Sequence, residues 1–531
     1  MSAAAAQQAG PAHLLGCGEQ MGVLPPVSAI GFKAHNLARM ARLGLSVPAA
    51  FVIGTAWCAR RETLDPGVWE PPLRALERHT GLGFGDPRRP LLLSVRSGAP
   101  VSMPGMMETL LDIGLNDATL HGLIRLTGNP RLAWDAYRRL IAGYGEIVLG
   151  VPVKAFDADL AAVAGGRDWR ELDFAELREV ARRHLETVER LHGQPFPQDP
   201  HVQLSAAIQA VFVSWWGEKA AHWRRINAVD DALGTAVTVQ RMVFGNAGGA
   251  SGAGVGFTRH PSTGEPRPWV DFLFNAQGED VVSGRFSALG AEALARVVPS
   301  AWNELLAILP RLEAEFGDMQ DFEFTVEDGR LWMLQTRSGK RTPQAAARIA
   351  LDLLEEGVID RQAALERTAG LDEDALAQSR VAGGSAEASS PLATAQSACT
   401  GAAVGEIALD EARVRERHAA GAAVVLLRDD AQTQDIGALE LSAGMLTTRG
   451  ARTSHAAVVA RQMGKVCLVG CDALQIDLAG RTVRIGDATF REGEVLTLDG
   501  NTGNVFAGHA KVVREVPVDM LRRLERLREE S

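Results

Sequence analysis

Asp321-Phe322-Glu323 places two carboxylates at i and i+2 on a predicted strand, so both project from one face. Gln335 lies on the next predicted strand, joined through the turn Glu327-Asp328-Gly329 in a hairpin that can bring its amide beside them. Two carboxylates and an amide oxygen are hard ligands suited to Mg²⁺ bridging nucleotide phosphates. A solvent-facing strand edge would carry the same residues with no metal. Lys33, Arg96, Arg138 and Arg337 are cations in tight or apolar settings. Arg96 follows the predicted strand Leu91–Val95, and Arg337 follows the strand carrying Gln335. Positive charge at such strand ends can clamp a polyphosphate, ordinary surface charge being the other reading.

A covalent step would fall to His455. Thr453 and Ser454 are good N-cap residues, the run after them is helix-forming, and Gly464 is a plausible stop. His455 thus sits where unpaired N–H groups and the helix dipole would stabilise a phosphate on its ring. Neutral imidazole is a nucleophile; a surface or capping histidine would look the same. Gly245–Gly256 reads as a nearly side-chain-free loop between strands, able to close backbone N–H groups over phosphates. No Gly-Lys-Ser/Thr follows it, so it is not a Walker A loop, and no dinucleotide fingerprint helix follows the strand before it.

Positioning these groups takes several domains, and 531 residues are too many for one compact core. Residues 1–25 read as a poorly ordered lead-in. Residues 26–342 read as a mixed α/β and α+β nucleotide-binding domain, with a mainly helical insert over 117–230. Within it the strands Thr235–Phe244, Trp269–Asn275, Asp321–Val326 and Leu331–Thr336 are predicted. Residues 343–390 read as a helical connector and a Gly/Ala/Ser-rich linker. A second unit of alternating short strands and helices spans 391–510. Residues 511–531 end in an amphipathic helix whose Met520, Leu521, Leu524 and Leu527 share one side, a face for a partner, a dimer mate or, by default, the chain's own domain.

Composition narrows the function classes. The chain is 46% hydrophobic and 23% charged with a net charge of -10, which argues against non-specific nucleic-acid binding. The five cysteines form no paired CxxC clusters of the zinc type. No export signal and no membrane span are read in the sequence, so a cytoplasmic location is expected.

Together these residues resemble the pyruvate, phosphate dikinase family from about residue 26 to 510. The resemblance rests on Ser94–Ala99, Ser102–Met107, Met242–Asn246, Phe257–Glu265, Asn275–Val282, Asp318–Asp321, Met333–Arg337 and Thr453-Ser454-His455. It implies an ATP-grasp domain up to about 340 and a swivelling phosphohistidine domain over 391–510. It implies that His455 attacks the β-phosphate of ATP, releasing AMP, after which inorganic phosphate leaves with the terminal phosphoryl group as pyrophosphate. Carried over position by position, Lys33, Arg96 and Arg337 grip the triphosphate. Asp321, Glu323 and Gln335 hold Mg²⁺ and nucleotide, Glu279 lies beside them, and Arg138 is a weaker phosphate contact. Thr453 matches a position phosphorylated in some members.

The chain departs from the family pattern at Gly31-Phe32-Lys33-Ala34-His35-Asn36-Leu37, where two glycines are replaced, and at Arg285-Phe286-Ser287-Ala288. The resemblance stops short of the family's pyruvate-binding barrel. A separate barrel polypeptide holding pyruvate or phosphoenolpyruvate is therefore the expected partner, with a homo-oligomer also open. The alternatives are a small-molecule dikinase of the rifampicin phosphotransferase type and a non-catalytic nucleotide-binding scaffold.

Overall fold

The computed structural model describes residues 12–18, 23–59, 64–101, 103, 107–282, 289–382, 390–430, 435–452 and 454–529, with the side chains of Val282, His455, Ala456 and Gln462 left out. Contacts divide the chain into two units: residues 1–248 with 332–335, and residues 249–331 with 336–531.

The first unit is built on a five-stranded sheet of β1 (His13–Leu15), β2 (Ala50–Ile53), β3 (Leu93–Gly98), β4 (Thr109–Ile113) and β5 (Ala236–Arg241), in the order β1-β2-β5-β3-β4. The lead-in is therefore partly structured, because His13–Leu15 pairs antiparallel with Ala50–Val52. Strand β3 starts two residues later than expected and runs on through Gly98, so Arg96 lies inside it. Between β4 and β5 the chain is helical, from Asp117–Thr127 to Glu218–Ile226. Its charged run 169–192 is broken by Asp173. That carboxylate accepts from the N–H groups of Ala175 and Glu176, Glu176 Oε2 accepts from Asp173 N, and the helix Phe174–His192 begins there. Trp69, Trp215, Tyr137, Tyr144, Phe51 and Phe212 are fully buried in this unit. Each buried aromatic side chain contributes on the order of 1.5–3 kcal/mol.

The second unit begins with a sheet of β6 (Gly252–Phe257), β7 (Trp269–Phe274), β8 (Leu289–Gly290), β9 (Gln320–Glu327) and β10 (Arg330–Ser338), ordered β10-β9-β6-β7-β8. Trp332–Gln335 of β10 group with the first unit. Asp328 and Gly329 both have positive φ, 49° and 80°, the two-residue turn that a twisted hairpin prefers. Gly245–Gly256 is not a loop throughout, since its second half is β6. There Gly254 and Gly256 stand opposite Phe324 and Phe322. A Cβ would lie 2.3 Å from Phe324 Cζ at Gly254 and 2.8 Å from Phe322 Cζ at Gly256. These glycines make room for aromatic rings, a packing demand that composition alone does not separate from loop flexibility.

Helices Pro343–Glu355 and Arg361–Arg367 follow, then β11 (Gln378–Val381). Residues 383–389 of the expected linker lie outside the described residues. Beyond them come β12 (Ala393–Thr394), β13 (Gln396–Cys399), β14 (Ala402–Ala408), β15 (Val424–Arg428), β16 (Gly444–Thr447) and β17 (Val466–Val469). A small antiparallel sheet of β18 (Leu474–Asp477), β19 (Thr482–Ile485) and β20 (Ala488–Arg491) is followed by β21 (Val495–Asp499), β22 (Asn504–Ala507) and β23 (Val512–Glu515). The main sheet is ordered β12-β22-β21-β14-β15-β16-β17-β13, with β14 to β17 parallel. Its strands are apolar on both faces, as covered parallel strands must be. Leu427, Leu446 and Leu468 enter one core, while Leu426, Met445 and Cys467 enter another with Ala457 and Ala460 of the helix His455–Gln462.

The terminal helix Val518–Glu529 buries Leu524 and Leu527 in a cluster with Ala347 and Leu351. It docks on the chain's own connector helix Pro343–Glu355. Among the described residues no helix is long and apolar enough to cross a membrane.

Candidate functional site

In the first unit, the helix Val27–Arg42 is kinked at Gly31, whose φ is 74° and ψ 159°. A Cβ at Gly31 would fall 1.8 Å from Gly98 O, so only glycine lets the helix lie against the end of β3. Phe32 N donates to Ala99 O at 3.0 Å, fixing that approach. Lys33 is thereby delivered to a small, partly open cleft lined also by Ala34, Leu37, Arg96, Thr238, Gln240, Leu334 and Gln335. Arg96 stands opposite Thr238 across the β3–β5 ladder. Gln240 Nε2 donates to Pro48 O at 3.1 Å, and Gln335 is almost wholly buried. Thr238 Oγ1 is buried with no hydrogen-bond partner. A buried orphan hydroxyl is costly unless something else satisfies it. Two cations, amides and that hydroxyl around one cleft make a site for an anionic ligand.

The structure thus brings together Lys33, Arg96 and Gln335 from the sequence reading and adds Thr238 and Gln240. The signal for those two was present: polar residues alternate with Val237 and Val239 along an otherwise apolar strand, so they share one face.

Arg138 is not brought to this cleft. It lies on the helix Pro130–Ile147, 2.5 Å from the buried Asp135, with its guanidinium 4.8 Å from the Trp169 ring centre. Burial would raise the Asp135 carboxyl, but Arg138, Arg139 and Arg131 hold it below its ordinary value. Arg138 is thus ion-paired with a buried carboxylate on its own helix.

In the second unit, Asp321 is buried and Glu323 half-buried on β9, two residues apart as read. Their cross-strand neighbours on β6 are Phe257 and Val255, while Phe322 and Phe324 take the opposite face over the glycines. Arg337 Nε donates to Asp321 Oδ2 at 2.8 Å. Arg337 lies within β10 rather than after it. Burial pushes the Asp321 carboxyl up, against the pull of Arg337. Asp321 Oδ1 is buried and has no hydrogen-bond partner. A divalent cation is the kind of group such an oxygen accepts, so the carboxylates fit Mg²⁺ by donor type. Among the described residues no group of three or more His, Cys, Asp or Glu side chains is arranged as a metal cluster. The remaining ligands would have to be an amide, water or phosphate, as is usual for Mg²⁺. Glu279 is exposed on the short helix Gly278–Val282.

His455 is the first residue of its helix. Ser454 is the N-cap, its hydroxyl accepting from Ala457 N at 3.4 Å, and Gly464 has φ 63° just past the end. Thr453 lies outside the described residues.

The pyruvate phosphate dikinase AMP/ATP-binding domain family matches residues 70–288 and 295–357, and the PEP-utilising enzyme mobile domain family matches residues 421–503. Pyruvate, phosphate dikinase 2 of Zea mays is 43% identical over 489 residues, covering 90% of this chain and 55% of the relative. The enzyme of the same name from Oryza sativa subsp. japonica is 42% identical over 488 residues, again 90% and 55%. The chloroplastic pyruvate, phosphate dikinase 1 of Arabidopsis thaliana is 41% identical over 491 residues, 91% of this chain and 51% of the relative. The chain therefore spans about half the length of these relatives. Because relatives include chloroplastic proteins, the cytoplasmic expectation draws no support from them.

Proposed function

The chain belongs to the pyruvate, phosphate dikinase family, and from that premise we propose that it is an ATP-dependent phosphotransferase that loads His455 with phosphate. The observation that carries this reading is the cleft of Lys33, Arg96 and Gln335 around the unsatisfied Thr238 hydroxyl.

His455 Nε2 or Nδ1 attacks the β-phosphorus of ATP; the bond to the α-phosphate oxygen breaks, AMP leaves, and a pyrophosphorylated imidazole remains. Lys33, Arg96 and Arg337 grip the triphosphate, and Glu279 serves beside the metal ligands, the roles that the family resemblance gives them. The N-terminal N–H groups of the helix His455–Gln462 favour negative charge on that ring. Asp321 and Glu323, with Gln335, would hold Mg²⁺; when bound it neutralises charge on the phosphoryl oxygens. Inorganic phosphate then attacks the terminal phosphorus, leaving as pyrophosphate, and phosphohistidine remains for transfer. Residues 391–510 swivel as a carrier between the nucleotide and an acceptor held by a separate barrel protein for pyruvate or phosphoenolpyruvate.

Incubating the chain with ATP, Mg²⁺ and phosphate and separating the nucleotides tests this reading. AMP and pyrophosphate are expected, and Asp321→Asn should reduce both by at least tenfold. Tight ATP binding with no AMP formed would favour a non-catalytic scaffold. AMP formed only when a small hydroxylated acceptor is added would favour the small-molecule dikinase.

A further inference from the structure

We propose that Arg452 and Arg461 are positioning residues that seat the His455-bearing helix on the β6–β7 sheet of the second unit, and that the rate of His455 phosphorylation depends on this clamp. The inference rests on the phosphotransferase reading above. Neither residue was singled out by the sequence.

Arg452 precedes His455 by three residues. Its guanidinium lies 4.5 Å from the Trp269 ring centre, and it donates to Asp271 Oδ1 from Nη2 at 2.7 Å and from Nε at 3.0 Å. Nη2 also reaches Val270 O at 3.3 Å. The Arg452 side chain is 21% exposed and that of Asp271 1%, so the pair is largely removed from water. Arg461, near the other end of the helix, is fully buried and lies over the same Trp269 ring at 4.9 Å and over Phe257 at 5.3 Å. It donates to Ala398 O at 3.1 and 2.8 Å and to Arg452 O at 3.2 Å, tying the two arginines together. Its Nη1 has no hydrogen-bond partner, which leaves the aromatic faces and nearby acidic groups to compensate that charge.

Two cations over one indole are not what a passive surface contact needs. One arginine before this short helix and one in its last turn, set over one tryptophan with Arg452 also on a buried carboxylate, fix the helix in position and rotation against the sheet. Asp321 and Glu323 stand on β9 of that sheet, where Asp321 pairs with Phe257 of β6. The clamp therefore registers the histidine's helix to the strand that bears the proposed metal ligands. Positioning at this level is worth orders of magnitude in rate, because small misplacement of a nucleophile is heavily penalised.

The test uses the full chain and Arg452→Ala, Arg452→Lys, Asp271→Asn and the double variant Arg452→Ala/Asp271→Asn. Rapid-quench single-turnover phosphorylation by ATP should slow at least tenfold in Arg452→Ala, with the ATP dissociation constant within twofold of wild type. Arg452→Lys should recover part of the rate, and the double variant should be no slower than the slower single one. Hydrogen exchange in residues 454–462 and 266–274 should speed up together in Arg452→Ala. Unchanged exchange in both segments, or a wild-type rate in Arg452→Ala, overturns the proposal. A wild-type chain that takes no phosphate from ATP contradicts the function reading instead, and the exchange experiment still decides whether the clamp exists.

Discussion

Lys33 and Thr238 face the same cleft but owe different things to the fold. Lys33 is half-buried at a kinked helix and serves a ligand, so Lys33→Ala should raise the ATP dissociation constant about 10- to 100-fold, the range for a charge-assisted contact, while the melting temperature moves little. Thr238 Oγ1 is buried without a partner. Thr238→Val removes that unsatisfied hydroxyl at nearly constant volume and should leave the unliganded chain equally stable or up to about 1–3 kcal/mol more stable, while ATP binds less tightly. Calorimetric titration and thermal unfolding of both variants check the pair of statements. A third residue gives a pH signature. Burial lowers the His260 ring to about 4, helped by Arg267, Arg461 and Arg452, and its Nδ1 accepts from the N–H groups of Ser262 and Thr263. The unfolded chain takes up this proton first as pH falls below about 6.5. Stability should therefore decline from pH 7 toward pH 4, by at most about 3 kcal/mol from this group given its partial exposure. His260→Asn should flatten that limb of the pH–melting curve; an unchanged slope would count against it.

At the scale of elements, the β9–β10 hairpin was legible because several signals agreed: alternating Phe322 and Phe324, an Asp-Gly turn, and an apolar return strand. The strand β6 was not, because glycine carries no signal for burial. Its glycines are needed by rings that belong to neighbouring strands, a tertiary demand invisible in the local run. Gly254→Ala should accordingly destabilise the second unit by about 1–3 kcal/mol through overpacking, since the fully buried Phe324 ring has nowhere to go. Thermal unfolding reads this directly. Arg138 shows the converse limit: local spacing indicates its helix, but not its ion pair with the buried Asp135 one turn earlier. The cleft cations Lys33 and Arg96 were named from sequence, while the contact of Arg452 with Asp271 joins residues 181 apart with no local pattern to announce it. The terminal helix reports on packing alone: Leu524→Ala should cost about 2–5 kcal/mol and free Val518–Glu529 to exchange.

For the whole molecule, the family assignment rests on matches that run through both the nucleotide-binding and the mobile-domain segments. On the proposed reading, those segments together load His455 with phosphate from ATP. A chain supplied with ATP, Mg²⁺ and phosphate but no acceptor should then release one AMP per chain in a burst and stop. Adding a barrel protein with pyruvate should convert the burst to steady turnover with phosphoenolpyruvate as product. The measurement that bears most directly on this account is the position of the phosphoryl group after mixing with ATP labelled at the β-phosphorus. The label should appear, acid-labile, on the peptide containing His455 and be absent from His455→Asn. Label on another residue, or undiminished label in that variant, would contradict the assignment of His455 as the nucleophile.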